Sequence, residues 1–322
     1  MGEARDTRDF GQERFLAGAT VSAYEVIQTP TGQAGFYDSD VAASSGAYVT
    51  VQTKGTATLQ KTAGFVALKG GRAYWDHSAN KVHYKKVNDR DFYIGRFAQG
   101  ATSASDNCEV ILNIDPPYDI DLARDGFQSV LVGTPAAGGF GYPVNLGGSL
   151  IFELTATSEA QKCDALSVDG FDKDANAIIE GVFRVLSDGA GTVVDVSLGI
   201  ANATDASDAD SITESMFIHL DANDVDILAE SDDGTTEVAA TDTTEDYTEG
   251  SALASRVEFW MDLRDPADVQ LYINGSNVLP ATVFNVDVAA GPFFLLAHVE
   301  KSSSTDAYKL ALDSLRARFA EQ

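Results

Sequence analysis

The chain has 322 residues, 44% hydrophobic and 9% aromatic, enough apolar matter to exclude wholesale disorder and more length than one ordinary core uses. Its net charge of −27 is unevenly spread: residues 1–118 carry 12 basic and 13 acidic side chains, and residues 119–322 carry 10 and 36. So acidic a surface repels nucleic acid and anionic membranes and excludes both as partners, although it also describes a merely soluble surface, including one adapted to salt.

In chain order, the N-terminal "MGEARDTRDFGQERF" is charged, and nowhere does an apolar run approach 18 residues. Neither a signal peptide nor a membrane span is expected. Residues 1–18 are polar and mixed in charge, with Phe10 and Phe15 as apolar anchors. They read as an extended arm suited to adding a strand to another protein's sheet edge, or as a disordered tail. The next strand is "AYVTVQT" (47–53).

"AYWDHSANKVHYK" (73–85) places Trp75, Asp76 and His77 side by side, with His83 and Tyr84 close behind. Read as two strands turning at "DHSAN", period-2 alternation sets Ala73 and Trp75 on one face and Val82 and Tyr84 on a face of the partner strand. His83 then points the other way and His77 sits in the turn. Two histidines that do not converge, with no third ligand nearby, do not make a zinc site. Trp75 and Tyr84 are therefore candidate core residues of a hairpin. Cys108 and Cys163 match no zinc or redox spacing and are expected as buried free thiols.

"EVILNI" (109–114) is followed by a Pro/Gly-rich break, "DPPYD" (115–119) and "GTPAAGGFGYP" (133–143). The boundary is placed at 115–126, coincident with the step in charge. The expected organisation is an arm at 1–18, a β domain at 19–118, a linker at 119–126 and a second domain at 127–322. Strands recur in the latter: "SLIFELTAT" (149–157), "GVFRVL" (181–186), "TVVDVSLGI" (192–200), "SMFIHL" (215–220), "RVEFWMDL" (256–263), "DVQLYING" (268–275) and "PFFLLAHVE" (292–300). "ESDDGTTEV" reads as a hairpin turn, and a short helix is expected at "SEAQKCDAL" (158–166). The chain is thus all-β, in sandwiches or barrels.

The run 58–113, "TLQKTAGFVALKGGRAYWDHSANKVHYKKVNDRDFYIGRFAQGATSASDNCEVILN", resembles the capsid-cement, or head-decoration, proteins of tailed bacteriophages. The shared motifs run from Gly55 through Gly64, Gly71 through Asp76, Lys81–Val82, Ile94–Gly95 and Val110 through Leu112. "GFYDSDVAASSGAYVTVQTKG" (35–55) extends the resemblance to about residues 17–114. Arg96 and Phe97 depart from it, where the family has smaller residues. The resemblance implies a small β-barrel-like domain on the outer surface of a virion, usually trimeric at three-fold or quasi-three-fold positions. Its partners would be the phage major capsid protein and other copies of itself.

"GSLIFELTATSEAQKCDALSVDGF", "SRVEFWMDLRDPADVQLYINGSNV" and "GPFFLLAHVEKSSSTDAYKLALDSLRARF" resemble strands of concanavalin-like jelly-roll sandwiches over 127–322. That fold serves lectins, glycoside hydrolases and inert adhesion modules alike. Glu258 and Asp262 lie four apart and lack the third acid of a glycosidase strand. Trp260 between them is a candidate glycan contact, read otherwise as a half-buried Trp beside a solvated face. Asp205, Asp208 and Asp210, and Asp221, Asp224 and Asp226, offer acidic loops without the spacing of a calcium-binding EF-hand. No catalytic residue, cofactor or metal is expected. The leading reading is a structural capsid-decoration protein with an outward-facing acidic sandwich; the alternative is a virion surface protein that binds or degrades glycans.

Overall fold

A computed structural model describes residues 11–88, 90–114, 119–135, 140–141, 148–189, 194–205, 208–221 and 224–319. The chain divides into two compact units, residues 1–116 and 117–322. Both are built of antiparallel strands, and no helix among the described residues is long and apolar enough to cross a membrane.

The first unit contains β1 (Gln12–Leu16), β2 (Val26–Gln28), β3 (Ala34–Phe36), β4 (Tyr48–Gln52), β5 (Thr56–Gln60), β6 (Arg72–Asp76), β7 (Lys81–His83), β8 (Phe92–Phe97) and β9 (Asn107–Leu112). They form a four-stranded sheet, β1-β4-β3-β2, and a five-stranded sheet, β5-β9-β8-β6-β7. In β4 and β5 buried and exposed residues alternate, as a strand with one wet face requires. Asn113, in the left-handed conformation that Asn tolerates, joins the sheets. Its side-chain amide accepts from the Ala34 N–H (2.8 Å) and donates to the carbonyls of Ala34 (2.8 Å) and Thr53 (2.7 Å).

The unit is barrel-like without closing: a parallel bridge, Lys61 to Val82, links the end of β5 to β7. Strands of three to six residues are too short for the continuous staggered pairing that closure requires. Contrary to the sequence-based expectation, residues 12–16 are not part of a free arm. They pair with β4 from Gln12↔Gln52 to Leu16↔Tyr48, because this places Phe15 against the core that Ala17, Val21 and Val49 form.

The turn joining β6 to β7 is held by two carboxylates. Asp76 Oδ1 accepts from the N–H groups of Ser78 (2.8 Å) and Ala79 (3.0 Å), and Asn80 adopts positive φ. Asp91, buried, accepts from His77 N–H (3.0 Å) with Oδ1 and from Val87 (2.9 Å) and Asn88 (2.8 Å) N–H with Oδ2. Asp91→Ala leaves three donors without that partner and should cost roughly 3 kcal/mol. An unchanged urea midpoint for this variant would refute the assignment.

The second unit contains β10 (Ile120–Asp121), β11 (Phe127–Val132), β12 (Phe140–Gly141), β13 (Leu150–Leu154), β14 (Glu159–Phe171), β15 (Ala177–Ser187), β16 (Val194–Ala201), β17 (Glu214–Asp221), β18 (Asp226–Asp233), β19 (Glu237–Asp246), β20 (Val257–Asp262), β21 (Gln270–Ile273), β22 (Ser276–Val278), β23 (Phe293–Ser304) and β24 (Tyr308–Phe319). One sheet runs β12-β13-β24-β15-β20-β21-β22, with β10 on the end of β24; the other runs β11-β14-β23-β16-β17-β18-β19. Phe152, Phe183 and Phe259 from the first meet Leu198, Ile218 and Leu295 from the second in one continuous core, so this is a β-sandwich.

The helix expected at 158–166 is instead the start of the 13-residue strand β14. Cys163 and Ala165 face the core while Lys162 and Asp164 face the other side, and ladders to β11 and β23 override the local helical preference. "ESDDGTTEV" closes β18 onto β19, with Gly234 at φ +85° and Asp233 Oδ1 accepting from Thr235 and Thr236 N–H. Both cysteines are buried and free, and burial pushes each thiol up to about 12.

Candidate functional site

The residues singled out from sequence are mostly structural. Trp75 and Tyr84 are buried, with Trp75 opposite Val82 on β7 and Phe92 on β8. His83 packs its ring on Tyr84 (4.4 Å) and Phe65 (5.5 Å), and its Nδ1 accepts from Lys85 N–H (3.2 Å). Burial, then the Lys85 charge, holds its pKa down at about 4, so the ring is neutral. His77 is exposed in the turn. Phe10 lies outside the described residues. Phe15 is turned toward its own sheet's core, and the exposed apolar residues beside it are Leu16 (57%) and Tyr48 (68%), directly opposite one another.

Trp260 is only 1% exposed, too enclosed to stack on a sugar, which corrects the glycan-contact reading. Every residue of β20 is buried, so neither face of the strand is solvated. Trp260 Nε1–H donates to Glu258 Oε1 (2.9 Å), and Asp262 Oδ1 accepts from Arg264 Nε (2.8 Å). The acids of "EFWMDLRD" thus serve their own neighbours. Three of the six acidic-loop aspartates do likewise. Asp205 accepts from Asp208 N–H, Asp208 from Asp210 N–H, and Asp224 from Asp226 N–H.

A different constellation lies on the non-core face of the seven-stranded sheet, where cross-strand register assembles two neighbouring rungs. One runs Asp164, His298, Ser197, His219 across β14, β23, β16 and β17; the next runs Lys162, Glu300, Asp195, Asp221 across the same strands. The residue between each pair (Cys163, Val299, Val196 and Leu220) is fully buried in the core. Period-2 alternation therefore forces these eight polar groups onto one face.

His298 is fully buried, its Nδ1 2.6 Å from Asp164 Oδ1 and its Nε2 3.1 Å from Glu300 Oε2. Neither contact is aligned as a hydrogen bond, so both act as ion pairs. Lys162 adds an ion pair to Asp164 (3.1 Å) and donates to the Asp205 carbonyl. Burial works against protonation of His298, but Asp164 and Glu300 outweigh it and raise the pKa to about 9. His219 is similar. Burial opposes its charge, while Glu230, Asp210 and Asp221 carry the pKa up to about 9. Its Nε2 lies 3.1 Å from Asp221 Oδ1, and its Nδ1 faces Glu230 (3.5 Å) and Asp210 (3.8 Å). The carboxylates pay the complementary penalty: burial, then Asp221, raises Asp195 to about 6, and burial, then Glu230, raises Asp210 to about 6. Imidazoles held as cations at neutral pH are poor general bases.

Sequence reasoning missed His219 and His298. The signal was the interruption of apolar runs at alternate positions: Lys162 and Asp164, Asp195 and Ser197, His219 and Asp221, His298 and Glu300.

Residues 16–112 match the family model described as phage cement protein, over the span where the sequence motifs resemble that family. No curated protein sequence matches the chain. The carbohydrate recognition domain of Emp47p superimposes with a TM-score of 0.44 at 11% identity, covering 62% of this chain and 94% of that one. An endo-acting O-glycanase structure from human gut microbiota gives 0.42 at 10% identity, covering 64% and 100%. The alginate lyase AlyC3 gives 0.40 at 11%, covering 57% and 79%. At such values these likenesses carry nothing about what this chain binds.

Proposed function

We propose that the chain decorates and stabilises the capsid of a tailed phage, with the first unit clamping neighbouring copies of the major capsid protein and the acidic sandwich facing solvent. The observation that carries this reading is the phage cement match over residues 16–112, which supports a phage structural protein in a non-enzymatic role. Charge supports the orientation. The first 118 residues are close to neutral at −1, whereas residues 119–322 carry −26. Many copies on one particle tolerate that charge best in solvent, where salt screens it beyond about 8–10 Å, and desolvating unpaired carboxylates against a shell would be costly. The contact surface is the wet face of β1 and β4, where Leu16 and Tyr48 sit beside Arg14, whose guanidinium lies 4.9 Å from the Tyr48 ring centroid. β1 is also a sheet edge, open to a further strand. A homotrimer over three-fold or quasi-three-fold positions on the outer virion surface fits the family. Glycan binding has less support, since the aromatic residue proposed for it is buried.

The test is co-sedimentation with undecorated capsids of the parent phage. The full chain and residues 1–116 should bind, and residues 117–322, which keep β10 and the core residues Ile120 and Leu122, should not. Leu16→Glu with Tyr48→Glu should weaken attachment by about tenfold or more, as loss of two interface anchors does. Binding by the sandwich fragment alone would reverse the assignment.

A further inference from the structure

The second unit leaves a recess of ≈ 20 Å³ lined by Asp210, Ser215, Glu230 and Asp232, among others. A single water-sized body needs about 10–15 Å³. Two of its carboxylates, Asp210 and Glu230, also converge on His219. Nδ1 of His219 lies 3.5 Å from Glu230 Oε1 and 3.8 Å from Asp210 Oδ1, and one ligand atom from each of the three residues falls within 4.8 Å of the others. Glu230 is 9% exposed, and its Oε1 is buried without a hydrogen bond. Its nearest charge is the His219 imidazole, and a buried carboxylate oxygen with no hydrogen bond gains from a cation held closer than that.

We propose that Asp210, His219 and Glu230 form a binding site for one divalent first-row transition ion, of the Zn²⁺ or Mn²⁺ kind, which displaces the Nδ1 proton of His219 into solvent as it binds. Metal–ligand bonds of about 2.0–2.2 Å set ligands roughly 3.3–3.6 Å apart in a tetrahedral site, close to the separations already present. The outer arrangement also fits. Nε2 of His219 is engaged by Asp221 at 3.1 Å, the carboxylate–imidazole contact that fixes a ligating ring and directs its other nitrogen at the metal. Asp195, His219 and Asp221 form a second group of three within the same limit, but there Nε2 already has its carboxylate, and neither Asp195 nor Asp221 lines the recess. One imidazole with two carboxylates suits a borderline ion better than Ca²⁺, which takes six to eight oxygens. Asp210 comes from the β16–β17 connection and its side chain is 54% exposed, which gives the ion an entry path.

The experiment is titration of the full chain with ZnCl₂, and separately with MnCl₂ and CaCl₂, by calorimetry and thermal unfolding. One Zn²⁺ or Mn²⁺ per chain should bind and raise the unfolding temperature, in the presence of excess Ca²⁺. Glu230→Gln and Asp210→Asn should each weaken binding by about tenfold or more. Asp226→Asn, an acidic change away from the recess, should leave it unchanged. Asp210→Asn lies on an exposed turn, so it reports even if Glu230→Gln fails to fold. No binding, equal binding of Ca²⁺ at more than one site, or wild-type affinity in both ligand variants would overturn the proposal. None of these outcomes bears on capsid attachment, which rests on the first unit.

Discussion

Replacing Asp313 with alanine should lower the unfolding temperature of the sandwich by roughly 6–20 °C. Arg184 is 3% exposed and its guanidinium is held by Asp313 Oδ1 (2.6 Å), the Ser149 hydroxyl (3.1 Å) and the Ser251 carbonyl (2.7 Å). Arg256 reaches the other carboxylate oxygen of Asp313 at 2.6 Å. Deleting the carboxylate strands a buried cation on β15, which costs about 3–5 kcal/mol. In a domain of this size each kcal/mol moves the transition by about 2–4 °C. The predicted signature in scanning calorimetry is a shift of one transition, with that of the first unit unmoved. Replacing both partners, Arg184→Leu with Asp313→Leu, removes the orphaned charge and should recover much of the loss. A shift common to both units, or none, would contradict the assignment.

The second large effect is on pH. His298 has a pKa near 9 in the folded chain against 6.5 unfolded, because Asp164 and Glu300 flank its buried ring. A raised pKa means that the folded state holds the proton more tightly. The contribution is complete below about pH 6.5 and is lost as pH rises through about 9, a difference of up to about 3 kcal/mol. Urea unfolding at pH 6 and pH 9.5 should show this loss in the wild type and a flatter profile in His298→Gln. Comparing the two chains separates His298 from His219, whose contribution they share. Equal slopes would remove His298 as the source.

What was legible in the sequence was whatever a single strand states by itself. The alternation around Trp75, Val82 and Tyr84 gave the hairpin faces, and the cement motifs gave the span of the first unit. What was not legible depends on neighbours. Leu16 rather than Phe15 faces solvent because β1 pairs with β4 in one register, and no property of "QERFL" sets that register. Trp260 sits on a strand covered on both faces, so alternation said nothing about its exposure. Residues 158–166 have helical composition, and only the ladders on either side make them a strand. The histidine rungs draw from four strands scattered along the chain, so each looked like an isolated polar residue in an apolar run. Asp210 and Asp221 were noticed as loop acids, but their common neighbour, His219, was not.

The two polar rungs also bear on how this sheet finds its alignment during folding. Sliding β17 or β23 by one residue would drive His219 with Asp221, or His298 with Glu300, into the space now filled by Leu220 or Val299, and put those apolar side chains among the buried ionisable groups of the other face. Such a misaligned chain would bury carboxylates and imidazoles without their present partners, at a cost of several kcal/mol per stranded charge. Slips by two residues keep the faces but carry His298 away from Asp164 and Glu300. The ionisable rungs thus favour the one alignment in which both imidazoles meet their carboxylates, even though it sets Asp195 opposite Asp221 and Glu300. Misaligned pairings are correspondingly unfavourable, which matters for a sheet whose central contacts join residues far apart in the chain.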